Sequence, residues 1–114
     1  MKKIILLAAL FGLVATLSSQ GAEAKENWNT QCAKCHGADG KSDTKIGAKL
    51  GAKDFTDAKV QAAMKDEEMV KAIKDGIKDP DGRTKMKAFV TGVETPLSDE
   101  EVKALVAYVH GLQK

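Results

Sequence analysis

Cys32-Ala33-Lys34-Cys35-His36 is the stretch on which the reading of this chain turns. On a helix, residues three apart share a face, so the two thiols emerge about a turn from each other. His36 follows at once and brings an imidazole to the same place. Two sulfur nucleophiles and one metal-ligating nitrogen within five residues form the attachment pattern for a c-type haem. Each thiol adds to one vinyl group of the porphyrin, and His36 takes an axial position on the iron. The chain has no other cysteine.

Three other readings of the pair compete. A disulfide across a two-residue gap is awkward inside a regular helix and leaves the adjacent histidine a coincidence. A structural zinc site wants four ligands, and beyond this cluster only His110 is available. A thioredoxin-like dithiol sits at a strand–helix junction of a βαβ unit, and no β-rich run precedes Cys32. Haem attachment needs nothing the sequence lacks.

The amino-terminal residues point the same way. Met1-Lys2-Lys3 is a short cationic start, Ile4 to Leu17 is an apolar run, and Ala22-Glu23-Ala24 has the small-x-small form of a leader cleavage site. The run is shorter than the ~20 residues a membrane-spanning helix needs, so a cleaved secretory signal peptide over residues 1–24 is the expectation, with an uncleaved anchor as the alternative. Export fits haem attachment, which in bacteria takes place outside the cytoplasm, and the expected location is the periplasm.

Residues 25–114 would then form one small domain, whose core is marginal for its size without a staple. A large, flat, apolar haem held by two thioethers serves as that staple, and the apo-chain is expected to be largely unfolded. Net charge is near balance and gives no sign of nucleic-acid binding. Its distribution is uneven: residues 25–65 hold eight lysines against five acids, and residues 66–114 hold eight Lys+Arg against ten acids. A lysine-rich half around the attachment motif would steer docking to an acidic partner face, although ordinary solubilising lysines give the same pattern.

The chain from Lys25 to Cys35 reads as a helix with Trp28, Cys32, Cys35 and His36 on one stripe. Gly37 ends it and opens a loop to about Asp54. A short helix is expected over Thr56 to Met64, with Val60 and Met64 inward. Asp66-Glu67-Glu68 starts another, favoured by its acidic first turn, with Met69, Val70, Ile73 and Ile77 at helical spacing and Gly76 near its end. Lys78 to Pro96 reads as a second long loop with Asp-Pro-Asp-Gly turn chemistry. Ser98 and Glu101 make a capping box for a last helix that presents Val102, Leu105, Val106, Val109 and Leu112. No segment alternates with period two, so the class is all-α.

This pattern resembles the class I cytochrome c family over essentially the whole chain after the leader. The resemblance implies a CxxCH-bearing N-terminal helix crossing a C-terminal helix, with long loops between and haem c at the centre. Trp28 matches the family's aromatic four residues before the first cysteine, and Leu105 and Tyr108 match its C-terminal pair. Ala24 stands where the family places a small residue at the helix crossing. Gly47-Ala48 stands where a Gly-Pro carbonyl would hold the second ring nitrogen of His36, with Ala48 in place of proline. Arg83, Lys49 and Lys53 are candidates for pairing a propionate, with plain solvent exposure as the simpler reading of the lysines.

Candidates for the sixth iron ligand are Met64, Met69, Met86 and His110. Met64 and Met69 fall in apolar helical stripes, and His110 lies in the last turn of a helix. Met86 stands in the loop before the last helix, where the family places its axial methionine, although Lys87 replaces the usual proline. The ligand pair implied by the resemblance is His36 and Met86. A thioether favours Fe(II) and raises the potential, and a six-coordinate iron has no open position. The expectation is therefore a monomeric, non-enzymatic electron carrier, taking single electrons from a membrane or periplasmic donor to an oxidase or reductase. The alternative is a haem enzyme or gas-binding protein with a labile distal site.

Overall fold

The structure, a computed structural model, describes residues 21–114. Most of the expected leader lies outside the described residues. Among the described residues no helix is long and apolar enough to cross a membrane.

The chain is helical from residue 21 to His36 (α1), but the helix is not regular. Its middle, Trp28–Cys32, is a π-helical turn, closed by the Ala33 N–H donating to the Trp28 carbonyl five residues back; Ala33–His36 then returns to α geometry. The expected regular helix over Lys25 to Cys35 is thus longer at both ends and wider at its centre. A π turn inserts a residue into the helical ladder, and such turns recur at functional sites. Here it falls on the stretch between the tryptophan that anchors the core and the first thiol.

The loop expected after Gly37 contains a further helix, α2 (Lys45–Leu50), capped by the Thr44 hydroxyl, which accepts from the Gly47 N–H, and ended by Gly51 in the left-handed region. Helix α3 covers Ala58–Ala63 with Asp57 as its cap, shorter than the expected Thr56–Met64; its buried residue is Gln61 rather than Val60. Helix α4 is Asp66–Asp75, with three acids in its first turn. It stops at Gly76, whose φ is +75°. Ile77 therefore leaves the helical stripe and is 44 % exposed.

The second expected loop holds a two-stranded antiparallel hairpin, β1 (Ile77–Lys78) and β2 (Thr84–Met86), with Ile77 opposite Met86. Its turn is organised by Asp79, whose Oδ1 accepts from the N–H groups of Asp81 (3.0 Å) and Arg83 (2.8 Å). The strands are too short to show period-two alternation, so the sequence pattern could not reveal them. They are minor, and the architecture is helical. After the hairpin the chain returns across the end of α4: Phe89 N–H donates to the Ile73 carbonyl (2.9 Å) and Val90 N–H to that of Lys74 (3.2 Å). Carbonyls that a helix end leaves unpaired are thereby satisfied.

Helix α5 is Asp99–His110 and carries the complete capping box, with Ser98 and Glu101 exchanging bonds. Val102, Leu105, Val106 and Val109 are its buried face. This face meets α1 at Trp28, and Trp28, Leu105 and Val109 form the core cluster, joined by Phe55, Met64, Met69 and Leu112. The predicted crossing of first and last helices is what the chain folds to.

Candidate cofactor site

Cys32, Cys35 and His36 all lie in the second half of α1, Cys32 closing the π turn and Cys35 and His36 in its last α-helical stretch. Both cysteines are free and half-buried. Burial, reinforced by the neighbouring Cys35, pushes the Cys32 thiol up to about 11, against a smaller opposing pull from the Lys87 ammonium. The thiolate is the reactive form, so burial makes Cys32 less reactive than an exposed thiol.

The His36 ring lies between aromatic neighbours: its centroid is 5.1 Å from that of Phe55 in a stacked arrangement and 5.7 Å from that of Trp28. Burial lowers its pKa and favours the neutral imidazole, the form that ligates a metal. Its Nδ1 is buried with no hydrogen-bond partner. A buried, unpaired ring nitrogen costs about 1–3 kcal/mol. A donor set of two free thiols beside such an imidazole suits a covalently held haem, and the residues present fit that group.

What fixes this corner is a ring of bonds to the end of α1. Gly37 N–H donates to the Ala33 carbonyl (2.8 Å) and Ser42 N–H to that of His36 (2.8 Å). The Thr44 hydroxyl donates to the Cys35 carbonyl (2.6 Å), and Trp28 Nε1 donates to that of Gly37 (3.1 Å). Gly47 packs so closely that a Cβ there would collide with the Cys35 carbonyl oxygen. That contact, rather than a bond to His36, is what Gly47 contributes. Its own carbonyl accepts from the N–H groups of Gly51 and Ala52, and since His36 Nδ1 has no partner, the expected support of the ring by a Gly47-Ala48 carbonyl is corrected. Thr44, Ser42 and Phe55 were not singled out from the sequence. The cap position of Thr44 before a short helix was a readable signal; nothing marked Phe55.

Met86 sits on a different element, at the end of β2, half-buried. Gly76 holds the hairpin against α4, since a Cβ there would strike the Met86 carbonyl oxygen. The following residue, Lys87, places its ammonium 5.1 Å above the Phe89 ring, and its charge is felt at Cys32.

The other ligand candidates are otherwise engaged. Met64 and Met69 pack against the core cluster. His110 has both ring nitrogens occupied, Nδ1 at 3.0 Å from Gln61 Oε1 and Nε2 at 2.6 Å from Asp66 Oδ1. Gln61 in turn donates to the carbonyls of Phe55 (2.7 Å) and Val109 (2.8 Å). Of the propionate candidates, Lys49, Lys53 and Arg83 are all exposed.

Residues 21–113 match the family model described as cytochrome c. Among solved structures, the chain is similar to KustC0563, a c-type cytochrome, with 37 % identity and a TM-score of 0.65 over 80 % of this chain and 98 % of that one. A mutant of the same protein gives 36 % identity and a TM-score of 0.63, covering 80 % and 99 % of the two chains. The search of curated proteins returned no match.

Proposed function

Because this chain belongs to the cytochrome c family and carries haem c as its cofactor, we propose that it is an exported, periplasmic carrier of single electrons whose iron is held by His36 and Met86. The haem supplies a one-electron Fe(III)/Fe(II) couple. Cys32 and Cys35 tether it, and the bonds to the Ala33, Cys35 and His36 carbonyls fix the direction from which His36 approaches. Trp28 and Phe55 shield the imidazole from water. One electron enters from a donor protein and leaves to an acceptor, with no bond made or broken in this chain. Redox proteins of the membrane or periplasm are the partners, and the carrier acts as a monomer.

The observation that carries the ligand assignment is the engagement of every rival. Met64 and Met69 are spent on the core, and His110 is held at both nitrogens. Met86 stands outside the core cluster, in the segment before α5 where the family places its axial methionine. A thioether favours the ferrous state and raises the potential, which suits a carrier rather than an oxygen-activating centre.

The test is the visible spectrum of the exported holoprotein. Haem c bands with the weak long-wavelength sulfur-to-iron band in the oxidised form establish His/Met ligation. In Met86→Ala that band disappears, the potential falls and the ferrous form takes up carbon monoxide. A high-spin wild-type spectrum, or a Met86→Ala spectrum identical to wild type, defeats the assignment and favours a haem protein with an open distal site.

A further inference from the structure

Ala24 ends the expected leader, yet it is 3 % exposed and counts among the buried apolar residues of the domain. It lies one helical turn before Trp28, on the same face. With Asn27 it lines a cleft whose other wall is Ser98, Glu101 and Ala104. Across that cleft Asn27 Nδ2 donates to Glu101 Oε2 (3.1 Å), while Glu101 Oε1 accepts from the Ser98 N–H (2.9 Å). The first turns of α1 and the capping box of α5 therefore form one joint, with Ala24 as its apolar contact.

A cut after Ala24 removes that contact. Either cut creates an α-ammonium at the positive end of the α1 dipole, but after Ala24 it joins the Lys25 side-chain charge one turn from Trp28, with no acidic residue before it. A cut one turn earlier keeps the joint whole. Ser19-Gln20-Gly21 offers small residues at the two positions a leader peptidase reads. Cleavage there would leave Glu23 in the first turn of the helix, where an anion is favoured.

We propose that the leader is removed by hydrolysis of the Gly21–Ala22 peptide bond, so that the mature domain begins at Ala22 and retains Ala24. Water supplies the hydroxyl to the Gly21 carbonyl and the proton to the Ala22 amine. This inference rests on the export reading above, and the experiment separates the two. The full-length chain is expressed with haem-attachment machinery, and the purified holoprotein is read by intact mass and amino-terminal sequencing. An amino terminus at Ala22 is the expected result. A terminus at Lys25, or at any other processed position, overturns this proposal and leaves export standing. A haem-bearing chain that retains its whole leader overturns both.

Ala24→Lys gives a second readout that does not depend on folding. A charged residue immediately before the scissile bond blocks leader cleavage, so with a cut after Gly21 the precursor is still processed, whereas with a cut after Ala24 it accumulates. Gly21→Lys has the opposite pattern. Once processed, Ala24→Lys is expected to melt well below wild type, and Ala24→Gly below it by a smaller margin, because glycine loses the buried methyl and loosens the helix.

Discussion

His36 and Met86 are offered by two very different pieces of backbone. His36 ends a long helix whose Trp28 is 2 % exposed against Leu105 and Val109, and whose terminal carbonyls are bonded to Gly37, Ser42 and Thr44. Met86 ends a three-residue strand in a hairpin whose other strand residues are exposed. One side of the candidate site is thus built into the core, and the other is a loop held at Gly76 and Phe89. The contrast teaches that the histidine side is built into the core of the fold, while the proposed methionine side rests on few buried contacts. Local opening starts where buried contacts are few, which is the methionine side.

The sharpest way to break this comparison is Trp28→Ala. Emptying the centre of the core costs about 3–5 kcal/mol, a large part of the ~5–15 kcal/mol that stabilises a domain. Holoprotein yield and thermal midpoint should both collapse, and a midpoint close to wild type would show that the helix crossing is not the structural half. Cys35→Ala tests the same half through chemistry: the haem stain on a denaturing gel should weaken or vanish, leaving less holoprotein.

Gly76→Ala acts on the other half. Positive φ with extended ψ is a conformation nearly confined to glycine and costs another residue about 1–3 kcal/mol, and the added Cβ meets the Met86 carbonyl. The expected signature is a disturbed sulfur-to-iron band with a smaller loss of stability than in Trp28→Ala. A normal band would show that the hairpin position does not govern the sulfur.

Ser98→Ala removes the cap of α5 and should cost about 1 kcal/mol by chemical denaturation, with the haem spectrum unchanged. A pH dependence accompanies it. The Ser98 backbone N–H, followed by the Asn27 amide, holds the Glu101 carboxyl below its ordinary value. A depressed carboxylate contributes stability that is complete above the ordinary value near 4.5 and fades as pH falls through the lower folded value. Glu101→Gln should therefore lower stability slightly at neutral pH, where the contribution is complete, and flatten the acid limb so that the two proteins converge at low pH. Smallest of all, Lys87→Gln loses a cation–π contact worth about 0.5–1 kcal/mol at an exposed site, and its stability should barely move.

Much of this was legible because it rests on neighbours in sequence. The capping box needs Ser98 and Glu101 three residues apart, and both bonds form. The buried face of α5 follows from helical spacing, and Gly76 ends α4 where its positive φ is required. Helix α2 escaped notice because six residues show too little periodicity to stand out from a polar loop, although Thr44 and Gly51 marked its ends. The π turn escaped because no residue type in Trp28–Cys32 distinguishes a five-residue return from a four-residue one.

The sequence alone determined the attachment pattern, since two thiols and an imidazole within five consecutive residues are a local property. It also determined the helical class, because apolar period and caps are local properties. Tertiary structure decided which side chains were free to act. Gln61 and Asp66 claim His110, the core claims Met64 and Met69, and Gly47 closes on the Cys35 carbonyl instead of supporting His36. The same structure buries Ala24 against the start of α5. Each is an encounter between residues far apart in the chain, and no local spacing encodes which distant groups will meet.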